Sequence, residues 1–386
     1  MNNTKKKIAI LSVYDIYNYG SILQTYAMQK SISLLNFTNI IIRNDHRNKF
    51  SQLKRCFNLP LLKMKLNFLF RDLYIKYFNK ELKYYFNSRN ESFRKFIHQY
   101  LNISPDWGNK ENIAKKIKDY NFALVGSDQV WNPTNIGKDF YTMNFIPYGI
   151  KKIAYASSFG VSQIPANMKN KYINFLSQID CLSIRETSGQ KIIKNLLNKE
   201  IPVVADPTIL LPFKYWQEFK TNHPFNNKKY IFCYFLGTNE EHRNFVRRLK
   251  EKTGYQIVTL PHNDEICKSD FNFGDFIPNG VGPKEFVNFI AHANYICTDS
   301  FHATVFSNLF SKEFYAFPRF LNENKASTNT RIPSLLKILG NEKRYILPTT
   351  TITDDLLKPI QYSNIQENIL KLREYSLQYL KDALNI

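Results

Sequence analysis

Residues 295–310 run YICTDSFHATVFSNLF, and three kinds of structure follow one another within them. Tyr295, Ile296 and Cys297 form the short apolar run of a buried strand. Thr298, Asp299, Ser300, Phe301 and His302 make a corner. Ala303, Val305, Phe306, Leu309 and Phe310 then recur at helical spacing. In α/β proteins, ligands bind where a strand ends in polar residues and turns into a helix. The first helical N–H groups have no partner inside the helix, and with the helix dipole they favour an anion. A histidine at such a corner titrates near neutral pH and can give up a proton. The plainer reading of His302 is a packed or capping residue, and of Asp299 a cap for the helix that follows.

The same strand–corner–helix unit repeats along the chain. Ile8–Val13 reads as a first strand, YDIYNYGS (14–21) as a turn, Ile22–Ile32 as a helix and Asn39–Ile42 as a second strand. This βαβ opening lacks GxGxxG, so no dinucleotide site is expected. Asn18, Gly20, Ser21 and Gln24 occupy its corner, where an anion or sugar fits, or where Ser21 simply caps the helix. Further strands are expected at Phe122–Val125, Lys152–Ala156, Leu182–Ile184 and Val203–Ala205. They end in Gly126-Ser127-Asp128-Gln129, Ser157-Ser158-Phe159-Gly160, Arg185-Glu186 and Asp206-Pro207-Thr208. Polar clusters recurring at successive strand ends point to a cleft.

A chain of 386 residues exceeds one ordinary core and suggests two domains of roughly 150–200 residues. The stretch 211–229, rich in Pro, Asn and Lys, marks the boundary, giving domains 1–210 and 211–386. The second opens with strands Tyr230–Leu236 and Tyr255–Leu260 around a helix, Glu240–Lys252. Pro283 is placed for N1 of a helix to Ala293. After a strand at Phe314–Phe317, Arg331 precedes a helix, Ser334–Leu339, closed by Gly340. Ser363 and Gln366 suggest a capping box for a last helix to Leu384. Residues 46–118 read as a basic, aromatic helical insert. Its expected place is packed on the first domain with solvated lysines; the sharper reading is a lid or a peripheral contact with an anionic membrane.

The formal charge of +21 favours anionic partners, but no RGG tract, zinc-finger spacing or RNA-binding aromatic signature accompanies it, so no nucleic acid is expected. The five cysteines are scattered without a CxxC pair, as in reduced cytoplasmic proteins, and no metal site is expected. The opening apolar run is too short for a signal peptide, and no window reaches transmembrane length. A cytoplasmic protein is expected, with the insert allowing a place at the inner face of the membrane.

NYGSILQTYAMQ (18–29), GSDQVWNP (126–133), SFG (158–160), SIRE (183–186), DPTILL (206–211), GPKEFVNFI (282–290) and TDSFHATVFSNLF (298–310) occur in the order seen in polysaccharide pyruvyl transferase family proteins, which the chain resembles. Arg331 in TRIPSLLKILG also resembles that family's C-terminal segment. The resemblance implies two Rossmann-like, doubly wound α/β domains in a GT-B-like arrangement with an interdomain cleft. It implies transfer of pyruvate from phosphoenolpyruvate, a co-substrate, to two hydroxyls of a sugar in a surface polysaccharide or its lipid-linked precursor. No cofactor or metal is implied. His302 becomes the candidate general acid. Arg185 and Arg331 become the donor's cationic partners, and Glu186, Asp128 or Asp299 the base, with Asp299 alternatively orienting His302. Asn18, Gly20, Ser21, Gln24, Ser127, Gln129, Ser158 and Ser300 complete the expected binding set. The chain departs from the family where Ser300 stands in place of an arginine. Two other readings use the same features: a glycosyltransferase taking a nucleotide sugar, and a non-enzymatic binder of polyanions.

Overall fold

Ile8, Ala9, Ile10 and Leu11 are all fully buried, the signature of a parallel strand covered on both faces. In the computed structural model, which describes residues 5–43, 80–134, 136, 139–263, 267–320 and 329–386, they belong to β1 (Lys7–Leu11). With β2 (Thr38–Ile41), β3 (Phe122–Val125), β4 (Lys151–Ser157) and β5 (Cys181–Ile184) it forms a parallel sheet of order β2-β1-β3-β4-β5. A second parallel sheet holds β6 (Tyr230–Tyr234), β7 (Gln256–Thr259), β8 (Tyr295–Thr298) and β9 (Glu313–Ala316) in the order β7-β6-β8-β9. Each order reverses direction once, between β1 and β3 and between β6 and β8. Ligands of doubly wound sheets bind at the carboxyl ends of the strands flanking such a reversal.

The helices that frame these reversals are α1 (Tyr19–Leu34), α2 (Lys80–Tyr100), α3 (Thr187–Leu197), α4 (Pro207–Leu210), α5 (Glu240–Thr253), α6 (Pro283–His292), α7 (Phe301–Leu309), α8 (Arg331–Leu339) and α9 (Tyr362–Leu384). Pro283 stands at N1 of α6 as expected, and the Gly282 N–H donates to Glu285 Oε2 at 3.0 Å. Gly340 ends α8 at φ +74°, a left-handed backbone that glycine adopts without strain.

Several local expectations change. Asn18, not Ser21, caps α1, its Oδ1 accepting from the Ser21 N–H at 3.2 Å. Val203–Ala205 makes a single bridge to Ile184 rather than a strand; Pro202 has no N–H to extend a ladder, and Asp206 already caps the next turn. Arg331 lies inside α8 rather than before it. Gln361, not Ser363, stands at the start of α9. Gln366 turns away from its own helix and donates to Asn308 O and Ser311 Oγ.

The two sheets share one continuous hydrophobic cluster, running from Ile10 and Tyr155 through Tyr19 to Phe286 and Phe232. Tyr19 stacks on Phe286, with centroids 4.5 Å apart and planes 7° from parallel, and donates its hydroxyl proton to Val281 O. Helix α9 crosses back from the second half to the first. Ser376 Oγ accepts from the Ala205 N–H at 2.7 Å, and Tyr379 donates to Ala154 O at 3.1 Å. Helix α9, which lies beyond residue 210, therefore packs on the first half of the chain. Of the insert, 46–79 lie outside the described residues. Helix α2 packs on both halves rather than on the first alone: Phe93 meets Tyr19, Arg89 Nη1 donates to Pro261 O at 2.7 Å, and Ser92 Oγ donates to Gly280 O at 2.7 Å. Among the described residues no helix is long and apolar enough to cross a membrane.

Candidate active site

Ser300 caps α7, its Oγ accepting from the Ala303 N–H at 3.4 Å, and this places His302 in the first helical turn after β8. The imidazole lies against the start of α1, across the interface between the sheets. A Cβ built on Gly20 would stand 2.0 Å from His302 Nδ1, so any side chain at position 20 must displace the ring. Gly20→Ala is accordingly expected to cost about 1–3 kcal/mol, the usual range for overpacking, read as a lower urea midpoint with an unchanged slope.

Arg185, at the end of β5, is fully buried among carboxylates. Its Nη1 donates to Asp206 Oδ2 at 2.8 Å and to Ser127 Oγ at 3.2 Å. Nη2 lies 3.7 Å from Asp128 Oδ1, and Nε lies 3.8 Å from Glu186 Oε2. The guanidinium sits 4.5 Å over the ring of Phe301, the residue before His302, so the first sheet's arginine packs on the second sheet's corner. Asp206 gathers this side of the site. Its Oδ2 accepts from Ser127 Oγ at 2.7 Å as well as from Arg185, its Oδ1 accepts from the Thr208 N–H and Oγ1, and His302 Nε2 stands 3.6 Å from Oδ2. Burial alone would raise the Asp206 pKa, but His302, Arg185 and the Thr208 N–H outweigh it and hold the carboxyl well below the usual range.

Glu186 behaves oppositely. Its Oε1 accepts from Ser158 Oγ and from the Phe159 and Gly160 N–H groups at 3.0, 3.0 and 3.4 Å. Burial nonetheless pushes its pKa up, against the pull of Arg185 and Arg331. Asp128 adopts φ +77° and accepts from the Gln129 N–H at 2.8 Å and from Ser21 Oγ. There burial is outweighed by Arg185 and His302, so the pKa falls.

Arg331 enters from α8, with the carboxamide oxygen of Gln129 accepting from Nη1 and Nη2 at 3.3 and 3.2 Å when that amide is oriented to satisfy both. Burial, then Arg185 and Arg319, disfavours its charged form. Arg319 follows β9 and donates from Nη2 to Asp299 O at 3.2 Å.

The structure thus brings together His302, Arg185, Glu186, Asp128, Ser127, Gln129, Ser158, Gly20, Ser21 and Arg331. Asp299 belongs to the corner but does not orient His302. Its oxygens accept from the Leu236 and Gly237 N–H groups at 2.7 and 2.8 Å and lie 3.5 Å from Arg319 Nε, tying β6 to β8. Asn18 and Ser300 cap helices, and Gln24 is buried beneath the corner, its Nε2 donating to Ser12 Oγ and Ser21 O. Asp206 and Arg319 were not foreseen as site residues. Asp206 had a signal, a strand-end polar cluster like the others; Arg319 had none. Elsewhere His262, Cys267 and Asp270 bring ligand atoms within 4.8 Å of one another. That carboxylate is already held by the Arg243 guanidinium and the His262 ring, an arrangement that opposes a further cation.

A model of the polysaccharide pyruvyl transferase family matches residues 18–319. No match is found among curated proteins. Among solved structures, the UDP-GlcNAc 2-epimerase of Methanocaldococcus jannaschii superposes with a TM-score of 0.50 at 13% identity, over 97% of this chain and 93% of that one. MnaA of S. aureus, solved with UDP, superposes with a TM-score of 0.50 at 13% identity, over 98% of this chain and 91% of that one. Likeness at this identity is likeness of fold, and the fold is the two-domain GT-B arrangement. The family match runs from the corner after β1 to the arginine after β9 and takes in every residue of the site but Arg331; the chain accordingly belongs to the polysaccharide pyruvyl transferase family, which makes it an enzyme of pyruvyl transfer.

Proposed function

We propose that the enzyme takes its pyruvyl group from phosphoenolpyruvate and sets it, as a ketal, across two hydroxyls of a sugar in a surface polysaccharide or its lipid-linked precursor. The observation that carries this reading is a set of buried guanidinium groups without hydrogen-bond partners around residues 299–302: Arg185 Nε and Nη2, Arg319 Nε and Arg331 Nε. Such donors are costly to bury unless something accepts from them. A small molecule carrying both a phosphate and a carboxylate supplies acceptors for several guanidinium forks at once. Arg319 also answers the departure at Ser300, because it brings a cation to the neighbouring Asp299 carbonyl.

In this reading His302 donates a proton to the methylene carbon of the donor. The cation-like C2 is attacked by the first sugar hydroxyl, whose proton passes to a carboxylate. Asp128 suits that part: its pKa is lowered, and its side chain is 15% exposed whereas that of Glu186 is fully buried. Phosphate then leaves, taking the proton held by Asp128. The second hydroxyl closes the ketal and returns a proton to the imidazole.

Thermal unfolding tests the donor. Phosphoenolpyruvate at a hundred times its Kd is expected to stabilise the folded chain by about 2.7 kcal/mol, with inorganic phosphate and UDP-sugars as comparisons. Stabilisation by a UDP-sugar, with none by phosphoenolpyruvate, would replace this reading with a glycosyltransferase.

A further inference from the structure

We propose that Asp206 is the residue that positions His302, keeping Nε2 as the proton-bearing nitrogen turned toward the buried carboxylate and leaving Nδ1 as the nitrogen that exchanges its proton with the donor. The inference rests on the pyruvyl-transfer reading for its chemistry and on the geometry alone for the ring's orientation.

His302 Nε2 has no hydrogen-bond partner, and Asp206 Oδ2 stands 3.6 Å from it. That distance is an ion-pair contact and too long for a hydrogen bond, as is common for catalytic pairs before substrate binds. Asp206 is fixed where it lies. Ser127 Oγ, Arg185 Nη1, Thr208 Oγ1 and the Thr208 N–H all donate to it, so both oxygens serve only as acceptors. An acceptor-only carboxylate repels a bare ring nitrogen and attracts an N–H. The neutral ring therefore carries its proton on Nε2. The ring packs against the start of α1. Nδ1 is the ring atom nearest to where a Gly20 Cβ would stand, and the positive end of the sixteen-residue α1 favours a lone pair there over a fixed N–H. Without a side chain at position 20 the ring packs directly on the backbone of α1.

The proton count follows. The imidazolium gives the Nδ1 proton to the methylene carbon, the Nδ1–H bond breaks as the C–H bond forms, and the ring is left neutral with Nε2–H facing Asp206. The carboxylate takes no proton at any step; it holds the ring in place.

Imidazole 15N–1H correlation spectra of the full chain, recorded well above the ordinary histidine pKa of about 6.5, test this without any substrate. His302→Gln identifies the His302 signals. The expected result is the Nε2–H tautomer in the wild type, its loss in Asp206→Asn, and its retention in Thr208→Val, which removes one bond to the carboxylate but keeps its charge. Asp206→Asn is also expected to lower kcat by about a hundredfold or more, with a smaller change in KM. An Nδ1–H tautomer in the wild type, or an unchanged tautomer in Asp206→Asn, overturns the proposal. Failure of phosphoenolpyruvate to react would instead count against the donor assignment and leave the tautomer result standing.

Discussion

His302→Ala is expected to lower kcat for pyruvyl transfer by about 10²–10⁴-fold, the usual contribution of a positioned general acid, while leaving stabilisation by phosphoenolpyruvate largely in place. The asymmetry follows from the division of work in the site. The donor's two anionic groups are assigned to Arg185, Arg319 and Arg331, whose N–H groups without hydrogen bonds face the corner, those of Arg185 and Arg319 within ion-pair distance of Asp128, Glu186 and Asp299. In the proposed mechanism the imidazole meets the donor only at the carbon that becomes a methyl group. Deleting the ring also opens space beside Gly20, so no clash replaces the lost contact. Steady-state kinetics beside a thermal-shift titration separate the two effects. Equal losses in turnover and donor binding would make His302 an anion ligand rather than an acid.

Arg185→Ala is expected to cost about 3–5 kcal/mol of folding stability, the range for removing one partner of a buried charge network. The guanidinium faces Asp206 at 2.8 Å, Asp128 at 3.7 Å and Glu186 at 3.8 Å, and the side chains of Arg185, Asp206 and Glu186 are fully buried. Without it these carboxylates lose their shared counter-charge in a place that water does not reach. The pH dependence follows from the direction of the shifts. Asp206 and Asp128 both titrate below the ordinary aspartate value of about 3.9 in the folded chain. The stability they contribute is thus fully present above that value and is lost as pH falls through the folded pKa values. Removing Arg185 diminishes this contribution, so the gap between wild type and variant is expected to narrow below about pH 4. Urea unfolding at several pH values reads both the size of the gap and its slope. A gap under about 1 kcal/mol at neutral pH would mean that the carboxylates are compensated elsewhere.

Much of this arrangement was legible in the residues, for a physical reason. Parallel strands covered on both faces read as apolar runs, and each run here stops at a polar cluster because the carboxyl edge of the sheet is where side chains can reach a ligand. Phe122–Val125 falls where it was expected, and Tyr295–Cys297 is extended only by Thr298. What stayed hidden depends on contacts between elements distant in sequence. Asp206 lies in a cluster that reads as a turn, and only folding brings His302, 96 positions later, to its Oδ2. Asp299 reads as a natural partner for His302 three residues on, yet its oxygens turn toward the N–H groups after β6. Arg319 carries no local pattern at all. The return of α9 to the first sheet is set by Ser376 and Tyr379 meeting Ala205 and Ala154, pairings that periodicity does not encode.

The central claim is that the donor's methylene carbon is protonated at this site as the pyruvyl group is transferred. It is tested most directly by running the reaction in D2O, with phosphoenolpyruvate and a panel of nucleotide-linked and lipid-linked sugars, and following the products by NMR. The account predicts a new ketal methyl group carrying one deuterium, released phosphate in equal amount, and both products formed about 10²–10⁴-fold more slowly with His302→Ala. A methyl group without solvent label, or consumption of a nucleotide sugar while phosphoenolpyruvate stays intact, would contradict it.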